Sequence, residues 1–178
     1  MNESSEVRIV AGETTDIRMS IDGMIAVNDF GENNLPGGEV FTAPVLDSVE
    51  GEVYFNMPVI TGGREITGVK LVFEAGNVVE YSAEKNEKLL AEILSTDEGT
   101  SQLGELGIGM NRGIDRFTTN MLFDEKMGDT VHLAIGSTVP DCVPEDIEGN
   151  ESAVHIDMIV DMSTDSVIEV DGEVVQRD

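Results

Sequence analysis

Two histidines stand among thirty-six acidic residues, and their neighbours suggest chemistry. His155 precedes Asp157 by two positions in Ser-Ala-Val-His-Ile-Asp-Met-Ile-Val, and His132 lies in Thr-Val-His-Leu-Ala-Ile-Gly. Both runs are apolar and β-branched, which predicts buried strands. Positions i and i+2 of a strand share a face, so His155 and Asp157 point together. A buried ionisable group needs a partner, and imidazole with carboxylate is a ligand set for zinc, cobalt or manganese. A buried metal centre is the first hypothesis; ordinary core histidines are the alternative. Glu39, in Leu-Pro-Gly-Gly-Glu-Val-Phe, and Glu105, in Leu-Gly-Glu-Leu-Gly-Ile-Gly, are flanked by glycines that let the backbone approach a ligand closely. Either glutamate taken alone also suits a solvated loop. The single cysteine, Cys142, reads as a passive loop thiol, and one cysteine forms no internal disulfide.

The elements that must position these residues are mostly strands. Alternating or β-branched runs predict strands over 7–11, 17–21, 52–59, 65–74, 78–81, 154–161, 167–170 and 174–176. Asp22-Gly23, Gly62-Gly63, Gly76-Asn77 and Asp171-Gly172 look like hairpin turns. One amphipathic helix is expected over 83–95, with Leu89, Leu90, Ile93 and Leu94 as its apolar stripe, and a shorter helix over 115–124. The fold class is therefore α+β, dominated by antiparallel sheet, with 1–178 as a single domain. A chain of 178 residues buries roughly 70% of its unfolded surface, enough for one sizeable core. The acidic segment 140–151 is expected to be a mobile loop beside the site.

Charge sets the surroundings. Thirty-six acidic residues against ten basic give a formal charge of −26, spread along the chain rather than gathered in a tail. Such a surface repels itself and calls for screening by salt, as in a salt-rich, halophilic cytoplasm. Nucleic-acid phosphate would be repelled, which argues against DNA or RNA as a partner. No apolar run reaches the length of a membrane span, and the start Met-Asn-Glu-Ser-Ser-Glu lacks a basic, apolar leader, so a cytoplasmic protein is expected.

Several ordered motifs carry a resemblance. Leu-Pro-Gly-Gly-Glu-Val-Phe-Thr-Ala-Pro, Gly-Ile-Asp-Arg-Phe-Thr-Thr-Asn-Met-Leu-Phe-Asp-Glu-Lys-Met-Gly and Ser-Ala-Val-His-Ile-Asp-Met-Ile resemble the catalytic half of the thermophilic metallo-aminopeptidases, the aminopeptidase T or peptidase M29 family. The similarity runs in order from about Gly12 to Asp171. It implies a dinuclear metal-dependent exopeptidase that releases the N-terminal residue of a peptide. It also implies the metal ligands Glu39, Glu105, His132, His155 and Asp157, and it leaves room for a homodimer. The sequence departs from the family at Val139-Pro140, where a Tyr-Pro dipeptide is usual, and the family's N-terminal α/β domain is expected to be absent. The expectation is a metal-binding domain standing alone.

The chemistry of such a site is general. Two divalent cations about 3.5–4 Å apart share a bridging water and a carboxylate, lower the water's pKa and polarise a carbonyl. Three carboxylates supply three negative charges against the four positive charges of two ions, which leaves room for hydroxide. A free peptide amino group can coordinate one of the ions. Glu105 is assigned to manage the water's proton. Asp115, Arg116, Asp124, Glu125 and Lys126 match the family pattern and could support the site or orient substrate. The reading preferred for each is more ordinary, with Asp124 and Glu125 as solvated or capping groups near Gly128. Asp97 and Glu98 are read as turn residues closing the helix. Two further hypotheses stand beside the peptidase. One is a metal-binding partner or regulatory domain of the same family without catalysis. The other is a structural domain with ordinary histidines.

Overall fold

Val7 and Ile9 alternate with charged neighbours, as do Ile17 and Met19, and these runs pair as strands with the apolar set inward. The computed structural model describes residues 1–32 and 34–177. Its strands are β1 (Glu6–Ala11), β2 (Thr15–Ser20), β3 (Val27–Asp29), β4 (Glu39–Thr42), β5 (Glu50–Phe55), β6 (Val59–Thr61) and β7 (Arg64–Ile66). Then come β8 (Val69–Glu74), β9 (Asn77–Ser82), helix α1 (Glu87–Leu94), β10 (Leu103–Gly109), helix α2 (Met121–Asp124) and β11 (Thr130–Gly136). The chain closes with β12 (His155–Asp161), β13 (Ser166–Val170) and β14 (Glu173–Arg177).

A seven-stranded antiparallel sheet runs β14-β13-β1-β2-β5-β8-β9, a five-stranded one runs β12-β11-β10-β4-β3, and β6 and β7 form a hairpin. The two large sheets share one core. Val7, Ile17, Phe55 and Phe73 come from the larger, Leu106, Leu133 and Met158 from the smaller, and Leu89 and Leu90 from α1. Each such side chain contributes about 1.5–3 kcal/mol of hydrophobic stabilisation. The α+β, mainly antiparallel fold expected from the alternation is the one formed. Because Val131, Leu133 and Ile135 enter the core, the alternation turns His132 away from it. Met158 and Val160 likewise turn Asp157 and His155 outward on β12.

Several boundaries differ from those the sequence suggests. The helix begins at Glu87, not 83, because Glu84 and Lys85 give their amides to the Thr67 carbonyl and Asn86 is left-handed at φ 60°. The expected strand over 52–59 divides at Asn56-Met57-Pro58, where proline has no N–H for a ladder. The run over 65–74 divides at Gly68, whose φ of +62° turns the chain from one hairpin into the large sheet. Asp22-Gly23 carries the chain from one sheet to the other instead of closing a hairpin. Of the short helix over 115–124, only Met121–Asp124 is helical. Segment 140–151 is pinned rather than free. Cys142 is buried against Met24 and Ala43, and the Asn150 amide donates to the carbonyls of Gly99 and Gly136 at 2.7 and 2.6 Å.

Candidate metal centre

The five-stranded sheet brings all five candidate ligands to its outward face. Pairing places Glu105 and Asp157 on either side of Ala134, one row across three strands, so a methyl group alone separates the carboxylates. A bulge between Leu103 and Glu105 re-aims the β10 side chains at this point. One row away His132 lies opposite Gly107, and its ring occupies the space above that glycine. A Cβ at Gly107 would meet the His132 Nε2 at 1.9 Å. Glu39 opens β4 opposite Gly109. The glycines before it serve close packing: a Cβ at Gly37 would strike the Gly31 amide at 2.1 Å, and one at Gly38 would strike Asn111 at 2.7 Å. Glu39 and Glu105 thus begin or lie within strands; glycine masked the alternation that would have announced them.

The side chains form an unbroken chain of carboxylate and imidazole. His132 Nε2 lies 3.6 Å from Glu39 Oε2 and 3.3 Å from Glu105 Oε1. The other oxygen of Glu105 faces His155 Nε2 at 3.1 Å, which in turn lies 3.6 Å from Asp157 Oδ1. Glu105 is the centre, offering one oxygen to each histidine. Ligating atoms of Glu105, His155 and Asp157 all lie within 4.8 Å of one another, the closest grouping of the five. His155 Nδ1 donates to the Ser137 carbonyl at 2.7 Å, which fixes the ring and leaves Nε2 as the free ligand atom. His132 Nδ1 is buried with no partner among the described residues, so the orientation of that ring rests on Nε2 and Gly107. His132 is buried as the strand pattern implied, whereas the His155 side chain is 29% exposed and forms the open edge.

The electrostatics follow from this geometry. Burial pushes the Glu105 carboxyl up, but its hydrogen bonds to His132 and His155 outweigh burial and hold it at about 2. Burial works against a charged His132, yet the Glu105 hydrogen bond and the fields of Asp157, Glu105 and Glu39 raise it to about 9. Asp157 and Glu105 raise His155 to about 11. The donor set attracts positive charge, and three carboxylates with two imidazoles, one pre-oriented by a backbone carbonyl, fit a divalent cation.

Four neighbouring groups are better placed than the sequence suggested. Asp124 is buried, not solvated, and accepts from the Thr118 amide and hydroxyl at 2.8 and 2.7 Å. Glu125 is also shielded, at 13% side-chain exposure, and is ion-paired with the wholly buried Lys126, whose Nζ also lies 3.1 Å from Glu39 Oε1. Asp97 caps the short turn Glu98–Ser101 rather than closing α1. Its carboxylate accepts from Thr100 N, Ser152 Oγ and Ala153 N at 2.9, 2.8 and 2.7 Å, and these bonds hold it at about 2. Asp97 thereby fixes the chain two residues before His155. A cleft of about 770 Å³ beside it is lined by Gly99, Asn150, Ser152 and Ser137, the residue whose carbonyl accepts from His155. The signal for Lys126 was available: a lysine between Phe123 and Met127, in a chain with few cations.

The model of the thermophilic metalloprotease (M29) family matches residues 1–176. The chain belongs to this family. It is 34% identical over 163 residues to aminopeptidase AmpS of Bacillus subtilis, covering 88% of this chain and 38% of that protein. It is 37% identical over 153 residues to aminopeptidase T of Thermus aquaticus, covering 78% of this chain and 36% of that one. The chain therefore spans less than two fifths of these relatives' lengths. The solved structure of wild-type AmpT from Thermus thermophilus superposes with a TM-score of 0.81 at 30% identity, over 95% of this chain and 46% of AmpT. A 2,5-dihydroxypyridine dioxygenase from Pseudomonas putida superposes with a TM-score of 0.73 at 15% identity, over 99% of this chain and 54% of its own, a likeness of fold alone. At the M29 chain's departure point, Val139 packs with Met24, Ala43 and Cys142 in a small apolar cluster. No helix among the described residues is long and apolar enough to cross a membrane.

Proposed function

We propose that this M29 chain is the metal-binding half of an aminopeptidase that releases N-terminal residues from peptides. Glu39, Glu105, His132, His155 and Asp157 would hold two divalent ions, with zinc, cobalt and manganese suited to the donor set. The observation that carries the reading is Glu105 turning one oxygen to each histidine, since a carboxylate so placed can serve two ions at once. When bound, such ions lower the pKa of a shared water and polarise a carbonyl. Glu105 is also assigned to manage the water's proton, by freeing one of the two oxygens it turns to the imidazoles. Asp97 and the Ser137 carbonyl orient the His155 strand, and the open edge at His155 admits a peptide amino group.

The domain 1–178 is proposed to work in a salt-rich cytoplasm, where screening relieves the charge of −26. Association into a homodimer belongs to the same proposal. Val139, which offers no oxygen, favours a second reading in which the domain binds metal for a partner without catalysing. Both are tested on protein dialysed in molar potassium chloride with zinc or cobalt. Near two ions per chain by elemental mass spectrometry, with cleavage of amino-acyl anilides, supports the peptidase. Metal without cleavage under any metal or salt condition supports the partner domain, and no metal overturns both.

A further inference from the structure

Lys126 is wholly buried, and both of its ionic partners lie at the candidate centre. Its Nζ lies 3.1 Å from Glu39 Oε1, and the same ammonium is ion-paired with Glu125. Only the other oxygen of Glu39 faces His132, at 3.6 Å. The contact is built into the backbone. Asn111 N donates to the Lys126 carbonyl at 2.9 Å, Asn111 Nδ2 donates to the Gly37 carbonyl at 2.8 Å, and Met110 N donates to the Gly38 carbonyl at 2.8 Å. The segment bearing Lys126 is thus clipped to the loop that delivers Glu39. The two side chains are placed as one unit.

The other half of the centre differs. Glu105, His155 and Asp157 converge with no lysine or arginine paired to either carboxylate among the described residues. An incoming cation there meets two carboxylates paired with imidazole alone, whereas at Glu39 it meets a carboxylate already shared with an ammonium. Like charges a few ångströms apart in a poorly solvated pocket oppose each other strongly.

We propose that Lys126, braced by Glu125, is a positioning residue that confines Glu39 to one oxygen and makes the Glu39–His132 half the weaker, second-filled cation site. The inference rests on reading the five side chains as a two-ion centre. Glu125 sets the balance: by sharing the ammonium it limits how tightly Lys126 holds Glu39.

Cobalt(II) titration of the whole chain, followed by visible absorption and calorimetry, tests this. The wild type takes up two ions in unequal steps, and His155→Ala removes the tighter one. Lys126→Met strengthens the weaker step by roughly tenfold or more and leaves the tighter step unchanged. Lys126→Arg restores the inequality. Glu125→Gln leaves the ammonium to Glu39 and weakens the second step further, opposite to the effect of Lys126→Met. Equal steps in the wild type, or a second step indifferent to both changes, overturn the proposal while leaving the two-ion centre standing. If Lys126→Met does not fold, judged by circular dichroism, Glu125→Gln decides: an unchanged second step overturns the proposal. No cobalt uptake by the wild type removes the two-ion centre and this inference with it.

Discussion

Both large sheets carry charged residues on their outward faces, but the two faces are built for different ends. On the seven-stranded sheet, Arg8 pairs with Asp16 at 2.8 Å and with Glu169 at 3.4 Å, with Arg8 and Asp16 44% and 57% exposed. On the five-stranded sheet, Glu39, Glu105 and His132 are 7%, 9% and 1% exposed, and Lys126 is entirely covered. The difference lies in what covers each face. The seven-stranded ladder is open to water, whereas the chain around Asn111 and Lys126 clips itself to the Glu39 loop. Solvated pairs are readily replaced, since water and salt compete for each charge. Shielded charges are costly unless mutually satisfied, so each one constrains its neighbours. A chain of −26 can place carboxylates almost anywhere on its surface; only the shielded ones define a site.

The largest predicted effect falls on the shielded face. Glu105→Gln keeps the shape but removes the negative charge shared by both histidines and the group assigned to the proton. Turnover of an amino-acyl anilide should fall by roughly 10²–10⁴-fold, and bound metal should fall as well, since both Glu105 oxygens face candidate ligands. Unchanged hydrolysis would remove Glu105 from its role.

Packing comes next. Gly107→Ala puts a methyl carbon where the His132 ring now lies, at 1.9 Å from Nε2, and the neighbouring Phe41 and Ile159 strands confine any escape. The expected cost is about 1–3 kcal/mol in denaturant unfolding, with reduced metal stoichiometry. A variant as stable as the wild type and fully metal-loaded would show that His132 has another resting place.

These two positions also show what sequence could and could not reveal. His155 and Asp157 announce themselves through strand alternation, because β12 carries no glycine to interrupt it. Glu105 lies on a strand bulged just before it, and Gly104, Gly107 and Gly109 break the pattern further. Each glycine is needed because something sits where its Cβ would be: the Ser137 carbonyl, the His132 ring and the Met127 carbonyl. These contacts are between segments far apart in sequence, and a local pattern does not register them. Asp97 escapes a local pattern for the same reason, since Ser152 and Ala153, which define its role, lie more than fifty residues away. The start of α1 escapes a local pattern because Thr67, just after the β6–β7 hairpin, takes the amides that the first helical turn would have used.

Asp97 allows a test by pH. Its bonds from Ala153, Ser152 and Thr100 depress its folded pKa to about 2, below the ordinary carboxylate value near 3.9. A depressed pKa means the clamp contributes fully above about pH 4 and is lost as pH falls through the folded value. The excess stability of the wild type over Asp97→Asn should therefore be flat above pH 4 and shrink towards zero near pH 2. A difference that vanishes already at pH 5 would show that the charge of Asp97 does not hold the strap before His155.

The smallest effect belongs to the solvated face, and its smallness is what the comparison requires. Arg8→Ala removes two ion pairs at once, yet water can solvate Asp16 and Glu169 where they stand. Thermal midpoints should move little in dilute buffer, and the difference should disappear in molar potassium chloride, where the screening length is only about 3 Å. Metal stoichiometry should not change. A large loss that survives high salt would mean that Arg8 acts through packing of its aliphatic stem, and would erase the distinction between the two faces as a matter of solvation.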